Sequence, residues 1–251
     1  KKKYPNIEVI GTVGPFHNPS SDYEEGWRFA KAHSDCIDAV DEHYYERPGW
    51  FLHHQDYYDH YDRKGPQVYL GEYASQGRTV ENALAEAVYL CNIERNADIV
   101  QMASYAPLLC RKGHANWNPD LIYFDNDSIE LTPNYWVQYL FSNYSGDQYI
   151  SSHLEIKPGI DHRVAVSVVK SSRTGMGYIK FVNASPKVIS MDVKGVAPIS
   201  READMILQGR PEDRLIRVGG VEGNRNPFPL SPIQGNTVVL APYSVTVVEW
   251  K

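Results

Sequence analysis

The chain is short of cysteine, of basic charge and of long apolar runs. Its three cysteines, Cys36, Cys91 and Cys110, are odd in number and lack metal-ligand spacing. That argues against a disulfide framework and against a zinc site. Each sits in an apolar run, so buried free thiols are expected. Lys and Arg total 25 against 31 Asp and Glu, a formal net charge of -6. Without a basic stripe, nucleic acid is not an expected partner. No apolar stretch approaches the ~20 residues that cross a bilayer, so no membrane association is expected. There is no start Met and no leader of the charged, apolar, small-residue kind. Residues 1–3 are all Lys and lead into Tyr4-Pro5-Asn6 and an apolar run, as if the chain began in mid-fold.

What is present is enough for one large domain or two smaller ones: 251 residues, 42% of them hydrophobic. Tyr, with 18 copies, outnumbers the 7 Phe and 5 Trp together. Tyr joins a flat apolar face to a hydroxyl, which suits a sugar cleft, although a Tyr-rich core and surface would read the same.

Residues 7–141 alternate between strand-like and helix-like runs. Residues 7–13 (IEVIGTV) read as a strand buried on both faces. Residues 24–33 have helical spacing through Trp27 and Ala30, with His33 next on the stripe. Residues 36–45 are a second strand, 50–61 an aromatic amphipathic helix and 67–74 a third strand. Residues 79–97 are the clearest helix, with Leu84, Val88, Cys91 and Arg95 spaced by three or four. Glu81 and Glu86 lie early in it, where the helix dipole favours acids. A fourth strand falls within 98–110, and Thr132-Pro133 opens a last helix over 133–141, with Thr132 as N-cap. Such βα alternation predicts a parallel sheet: half of a (β/α)8 barrel or a small doubly wound sheet. Beyond residue 150 the pattern changes to β-branched strands over 164–169, 177–182, 188–193, 238–240 and 244–250, the mark of an antiparallel β-sandwich. The expected division is 1–148 and 149–251.

In a barrel, polar residues at the C-terminal tips of strands are the first suspects. Glu72 in VYLGEYAS follows an apolar strand directly, where a carboxylate is costly without partners or a task. Gly71 before it permits close approach of another group. An Arg-paired structural Glu is the alternative. Asp41-Glu42-His43-Tyr44-Tyr45 ends the preceding strand, and alternation puts Asp41, His43 and Tyr45 on one face, Glu42 and Tyr44 on the other. His43 and Tyr45 are therefore candidates to contact a substrate or the carboxylate, with a structural His–Asp pair as the alternative. The third tip, Ser104-Tyr105-Ala106-Pro107, precedes a loop whose Trp117 and Asn118 are placed to wall a sugar site, or to serve only as a lid. His53, His54 and His60 read as surface or packing residues.

These strings carry a resemblance. VYLGEYAS resembles the nucleophile strand of glycoside hydrolase family 51 α-L-arabinofuranosidases, and DEHYY with Pro48 and Trp50-Phe51 is similar to the strand before it. MASYAPLL, WNPDLIYFDN and TPNYWVQYLFS look like that family's last barrel strand, loop and closing helix. APYSVTVVEW looks like the final strand of its sandwich. The matches fall in one order and cover nearly the whole chain.

The resemblance implies the second half of a (β/α)8 barrel followed by a C-terminal β-sandwich. It implies retaining hydrolysis of terminal α-L-arabinofuranosides from arabinan- or arabinoxylan-type substrates. Glu72 matches the nucleophile, His43 and Tyr45 an H-x-Y pair beside the substrate, and Trp117 and Asn118 a more variable loop. A second carboxyl group is required about 5–5.5 Å away. In the family it closes the fourth strand in a G-N-E motif, which occurs nowhere in these 251 residues. The acid/base is therefore expected upstream, on a missing N-terminal half of the barrel, and this stretch alone is expected to be inactive. Glu42 points away from His43, and Glu24 and Glu25 look like a first helical turn. No metal or cofactor is implied, and an oligomer is compatible with the resemblance. Another retaining barrel glycosidase (a xylosidase or endoglucanase) and a non-catalytic carbohydrate-binding module remain open at this point. The substrate class favours a secreted or periplasmic location. Asn126, Asn143 and Asn183 fit the glycosylation pattern, which is too common to decide the compartment.

Overall fold

Apolar strands that alternate with helical runs build the first half of the chain into a parallel sheet. The structure is a computed structural model and describes residues 1–16, 21–156, 158–196, 199, 205–215, 217–219, 233 and 235–251. The elements run β1 (Ile10–Thr12), α1 (Ser21–Ala32), β2 (Ala39–Glu46), α2 (Pro48–His53), β3 (Gln67–Ser75), α3 (Val80–Arg95) and β4 (Val100–Tyr105). The four strands lie side by side in chain order, every pair parallel. A doubly wound sheet reverses strand order at a switch point, and this one does not. It is an arc of a barrel with the helices outside. Val40 packs with Ala30 and Trp27 of α1, and Val68, Leu70 and Tyr73 pack with α2 and α3.

Several expected elements are shorter. The first strand keeps only three residues, and Ile7, Val9 and Ile10 are exposed instead of buried on both faces. Among the described residues it is an end strand, with β2 as its one neighbour. The helix expected over 50–61 stops at His53. Adjacent Tyr57 and Tyr58 both turn into the core, as one helical face does not allow, and the aromatic, Asp-rich run has low helix propensity. The strand after α3 breaks at Pro107, and β5 (Leu109–Arg111), β6 (Ile122–Phe124) and β7 (Ile129–Leu131) form a separate small sheet. Cys91 and Cys110 are buried, but Cys36 is exposed, because the second strand starts only at Ala39 and Cys36 lies in the turn before it. The last helix of this half, α4 (Pro133–Asn143), opens as expected, with the Thr132 hydroxyl accepting from Tyr135 N.

The second half is antiparallel. Strands β8 (Gln148–Tyr149), β9 (Val164–Lys170), β10 (Gly177–Asn183), β12 (Met205–Gln208), β13 (Arg217–Gly219) and β15 (Ser244–Trp250) form one six-stranded sheet. β11 (Ile189–Asp192) and β14 (Thr237–Leu240) form a second, two-stranded one. On one face of the large sheet, Ile179, Phe181 and Val248 meet Val238 and Leu240 of the small sheet. On the other, Ala165, Val182, Val245 and Val247 share a core with α3. Burial on both faces explains why SVTVVEW reads as a continuous run rather than an alternation. Lys180, fully buried on β10, pairs with Glu94 of α3, which also accepts from the Ser167 hydroxyl of β9, and so ties the two halves. Asn183 is buried and donates to Lys187 O and Ala241 O at 2.8 Å each, so the folded chain closes that glycosylation sequon. His54 stacks on Trp50 and His53 on His162, both packing roles.

Candidate active site

Alternation along β2 sorts its side chains to two faces. Tyr44 enters the helix-side core, whereas Asp41, His43 and Tyr45 look into the barrel. Simple alternation along β3 would put Glu72 on the helix side with Leu70. It does not, because the register slips there: Glu42 pairs with Leu70, but His43 pairs with Glu72. Gly71 is the extra residue of a β-bulge, a device that re-aims the side chain after it. A Cβ on Gly71 would lie 1.9 Å from Asp41 Oδ1 and 3.2 Å from His43 Nε2. The close approach expected at this glycine is made by the Asp41–His43 pair.

Glu72 thus stands at the strand tip with its side chain 42% exposed. The Tyr45 hydroxyl donates to Oε2 at 2.5 Å, and His43 Nδ1 lies 3.6 Å from the same oxygen. His43 Nε2 faces both Asp41 oxygens, at 3.0 and 3.1 Å, which fixes the ring and aims Nδ1 at Glu72. Burial, then the Glu72 carboxylate, raises the Tyr45 pKa, so the hydroxyl stays protonated and donates. No Arg pairs with Glu72 among the described residues, so the structural alternative lacks its partner.

The Trp117 ring meets Tyr45 edge-on, with centroids 5.0 Å apart. Trp117 and Asn118 line an open cleft beside Tyr45, together with Phe16 and Gln76. Gln76 donates its amide to Tyr45 O at 3.0 Å. Phe16 and Gln76 were not singled out from the sequence, where nothing but their place after a strand tip marks them. The Trp117 loop is anchored from outside the cleft: Leu121 N donates to Pro107 O at 3.1 Å, and Arg78 pairs with Glu130 at 3.0 Å. Arg78 also stacks over Tyr123, 4.2 Å from its centroid. All five residues singled out from the sequence therefore lie at one end of the sheet. Ser104 faces the barrel too, 3.0 Å from the Tyr69 hydroxyl, whereas Tyr105 is buried in a separate cluster.

Glu42 looks the other way, as alternation requires. It is fully buried between α1 and the Tyr58–Tyr61 turn, and four groups donate to it. Tyr23, Trp27 and Tyr61 reach Oε1 at 2.8, 2.8 and 2.9 Å, and Tyr58 reaches Oε2 at 3.0 Å. Burial raises its pKa, and these donors pull it part of the way back. Among the described residues no His, Cys, Asp or Glu cluster is arranged to hold a metal ion. No helix of the described residues is long and apolar enough to cross a membrane.

A half-exposed carboxylate fixed by a phenol and faced by an imidazole, at the tip of a barrel strand, is equipped to act on a polar substrate. Residues 57–214 match the family described as the α-L-arabinofuranosidase C-terminal domain. The chain belongs to that family. Glu72, Trp117 and Asn118 of this arabinofuranosidase-family chain lie within the matched span, and His43 and Tyr45 precede it. An extracellular exo-α-L-arabinofuranosidase of Streptomyces chartreusis is 41% identical over 177 residues, covering 70% of this chain and 21% of that protein. An Arabidopsis thaliana α-L-arabinofuranosidase is 33% identical over 191 residues, covering 72% of this chain and 25% of its own. An arabinose-bound family 51 α-L-arabinofuranosidase has the same fold over 99% of this chain and 40% of its own, with a TM-score of 0.74 at 26% identity. The chain is thus the second half of a barrel plus a β-sandwich, and its match spans 21% to 25% of the length of these two curated relatives.

Proposed function

We propose that this chain supplies the nucleophile half of a retaining α-L-arabinofuranosidase. The observation that carries the reading is Glu72, turned into the barrel by the Gly71 bulge and held by Tyr45 at 2.5 Å. In the first step a Glu72 oxygen attacks the anomeric carbon of a terminal arabinofuranosyl unit, and the bond to the leaving oxygen breaks as that oxygen takes a proton. In the second, water hydrolyses the glycosyl–Glu72 ester and restores the carboxylate. Tyr45 and His43 hold the attacking group and face the sugar, and Trp117 and Asn118 wall the cleft.

The proton donor is a second carboxyl group. Asp41, on the same face, has both oxygens turned to His43. The relatives extend far beyond the stretch they share with this chain, which supports an acid/base carried by the longer polypeptide. In this reading residues 1–148 belong to the catalytic barrel and 149–251 to the sandwich, and the 251 residues alone turn nothing over. A secreted location agrees with the relative described as extracellular.

The test is an aryl-glycoside panel on the longer polypeptide that carries this chain. Cleavage of the α-L-arabinofuranoside, but not of a xyloside or cellobioside, is expected. Cleavage of xyloside or cellobioside instead points to another retaining barrel glycosidase. Binding of arabino-oligosaccharides without turnover points to a carbohydrate-binding module.

A further inference from the structure

Behind the tip of β3, on the side away from Glu72, lies a buried polar knot that the proposed chemistry does not use. Its centre is Glu86, fully buried on α3 between Ala85 and Ala87. Glu86 Oε1 accepts from Ser75 N at 2.8 Å and from Asn134 Nδ2 of α4 at 2.8 Å. The Tyr73 hydroxyl donates to Gln138 Oε1 at 3.0 Å, and Asn82 Nδ2 donates to Ser75 Oγ at 2.8 Å. The two residues that flank Ala74, just past Glu72, are therefore tied to α3 and α4.

Among the described residues, four buried atoms of this knot have no well-formed hydrogen bond: Glu86 Oε2, Asn134 Oδ1, Gln138 Nε2 and Tyr105 Oη. They belong to one neighbourhood. The Tyr73 and Tyr105 rings lie 6.0 Å apart, the Glu86 charge acts on both phenols, and the Gln138 amide approaches Glu86 in a hydrogen bond too long or oblique to satisfy either group. Leaving one such atom unsatisfied costs about 1–3 kcal/mol. Two of the four are acceptors, the amide nitrogen is a donor, and the phenol can be either. That is the complement of one water molecule, which donates twice and accepts twice.

We propose that an internal water is bound among Glu86, Tyr105, Asn134 and Gln138, and that this hydrated knot makes Glu86 a positioning residue for Glu72. With Glu86 ionised, the water donates to Glu86 Oε2 and Asn134 Oδ1 and accepts from Gln138 and Tyr105. With Glu86 protonated, the water accepts from Oε2 and donates to Tyr105, whose hydroxyl rotates. Both forms are satisfied, which suits a carboxyl that burial pushes up to about 8. The water site stands on the orphaned atoms alone. The positioning role rests on Glu72 being the nucleophile.

A high-resolution crystal structure of the longer polypeptide tests the first part. One ordered water within about 3.2 Å of at least three of the four atoms is expected, and a knot without it overturns the site. Kinetics of Glu86→Gln and Glu86→Leu test the second. Gln keeps an acceptor for Ser75 N, and kcat stays within about threefold of wild type. Leu lowers kcat by about tenfold or more while KM moves less than about twofold. If the Leu variant does not fold, Asn134→Leu, which removes one ligand of the water and one donor to Oε1, replaces it with the same expected split. An unchanged kcat in a folded Leu variant, or no rescue by Gln, overturns the positioning role. Absence of turnover by the wild type removes that role together with the enzymatic reading, and the electron density still decides the water site.

Discussion

Two carboxylates sit on opposite faces of the same pair of strands. On the helix side Glu42 is fully buried and receives four hydrogen bonds, three on one oxygen. On the barrel side Glu72 is half-exposed and receives one, from Tyr45, with His43 farther off. The difference separates structure from chemistry. A buried carboxylate is costly unless its oxygens are hydrogen-bonded, and both oxygens of Glu42 are, inside a cage that leaves no opening toward the barrel. Glu72 keeps an oxygen without a hydrogen bond among the described residues, as an attacking group requires. One bulge at Gly71 decides which kind of residue Glu72 becomes, because without it Glu72 would share the helix side with Leu70.

The sharpest way to break this contrast is to remove each carboxylate. In the polypeptide that carries this chain, Glu72→Ala is expected to lower arabinofuranoside turnover by about 10⁴-fold or more, with little change in Tm. Glu42→Ala is expected to do the reverse first. It removes the acceptor shared by Tyr23, Trp27, Tyr58 and Tyr61, costs about 3 kcal/mol or more, and lowers Tm by roughly 6–12 °C in a thermal melt. Tyr45→Phe removes the charge-assisted bond to Glu72 and nothing else in the core. A loss of about 10- to 100-fold in kcat/KM with unchanged Tm is expected from steady-state kinetics.

A further, pH-dependent effect concerns a third carboxyl, Glu86. Burial raises the Glu86 pKa from 4.5 to about 8, so the folded state holds this proton more tightly than the unfolded chain. Its contribution to stability is whole below the lower value and lost as pH rises across that window, at about 1.4 kcal/mol per pH unit. Glu86→Gln cannot lose the proton. Denaturant titrations at several pH values are expected to show the variant gaining on wild type as pH rises from about 5 to 8.

Much of this site was legible in the sequence because strands obey a period of two. DEHYY places His43 and Tyr45 together whatever the rest of the fold does, and a Gly before Glu72 signals close approach. The bulge's one mark is Gly71 itself, and a glycine in a strand reads the same whether it makes a bulge or only a close approach. Glu86 was misread for a different reason. Early in a helix an acid is usually a solvated partner of the dipole. Its flanks, Leu84-Ala85 and Ala87-Val88, were the available signal, because an acid within an apolar run belongs to a core. The end of α2 escaped because Tyr57 and Tyr58 both serve the interior, including the cage around Glu42, and tertiary packing overrode helical periodicity there.

The central claim, that Glu72 is the nucleophile, is tested most directly by chemical rescue. Glu72→Ala in the longer polypeptide is given an arabinofuranoside with a good leaving group, with and without azide. The account predicts that azide restores turnover and yields an arabinofuranosyl azide of inverted configuration, because the small anion attacks from the side the carboxylate has vacated. Wild-type turnover by the variant without azide, or a variant that stays folded and inactive at every azide concentration, would contradict it.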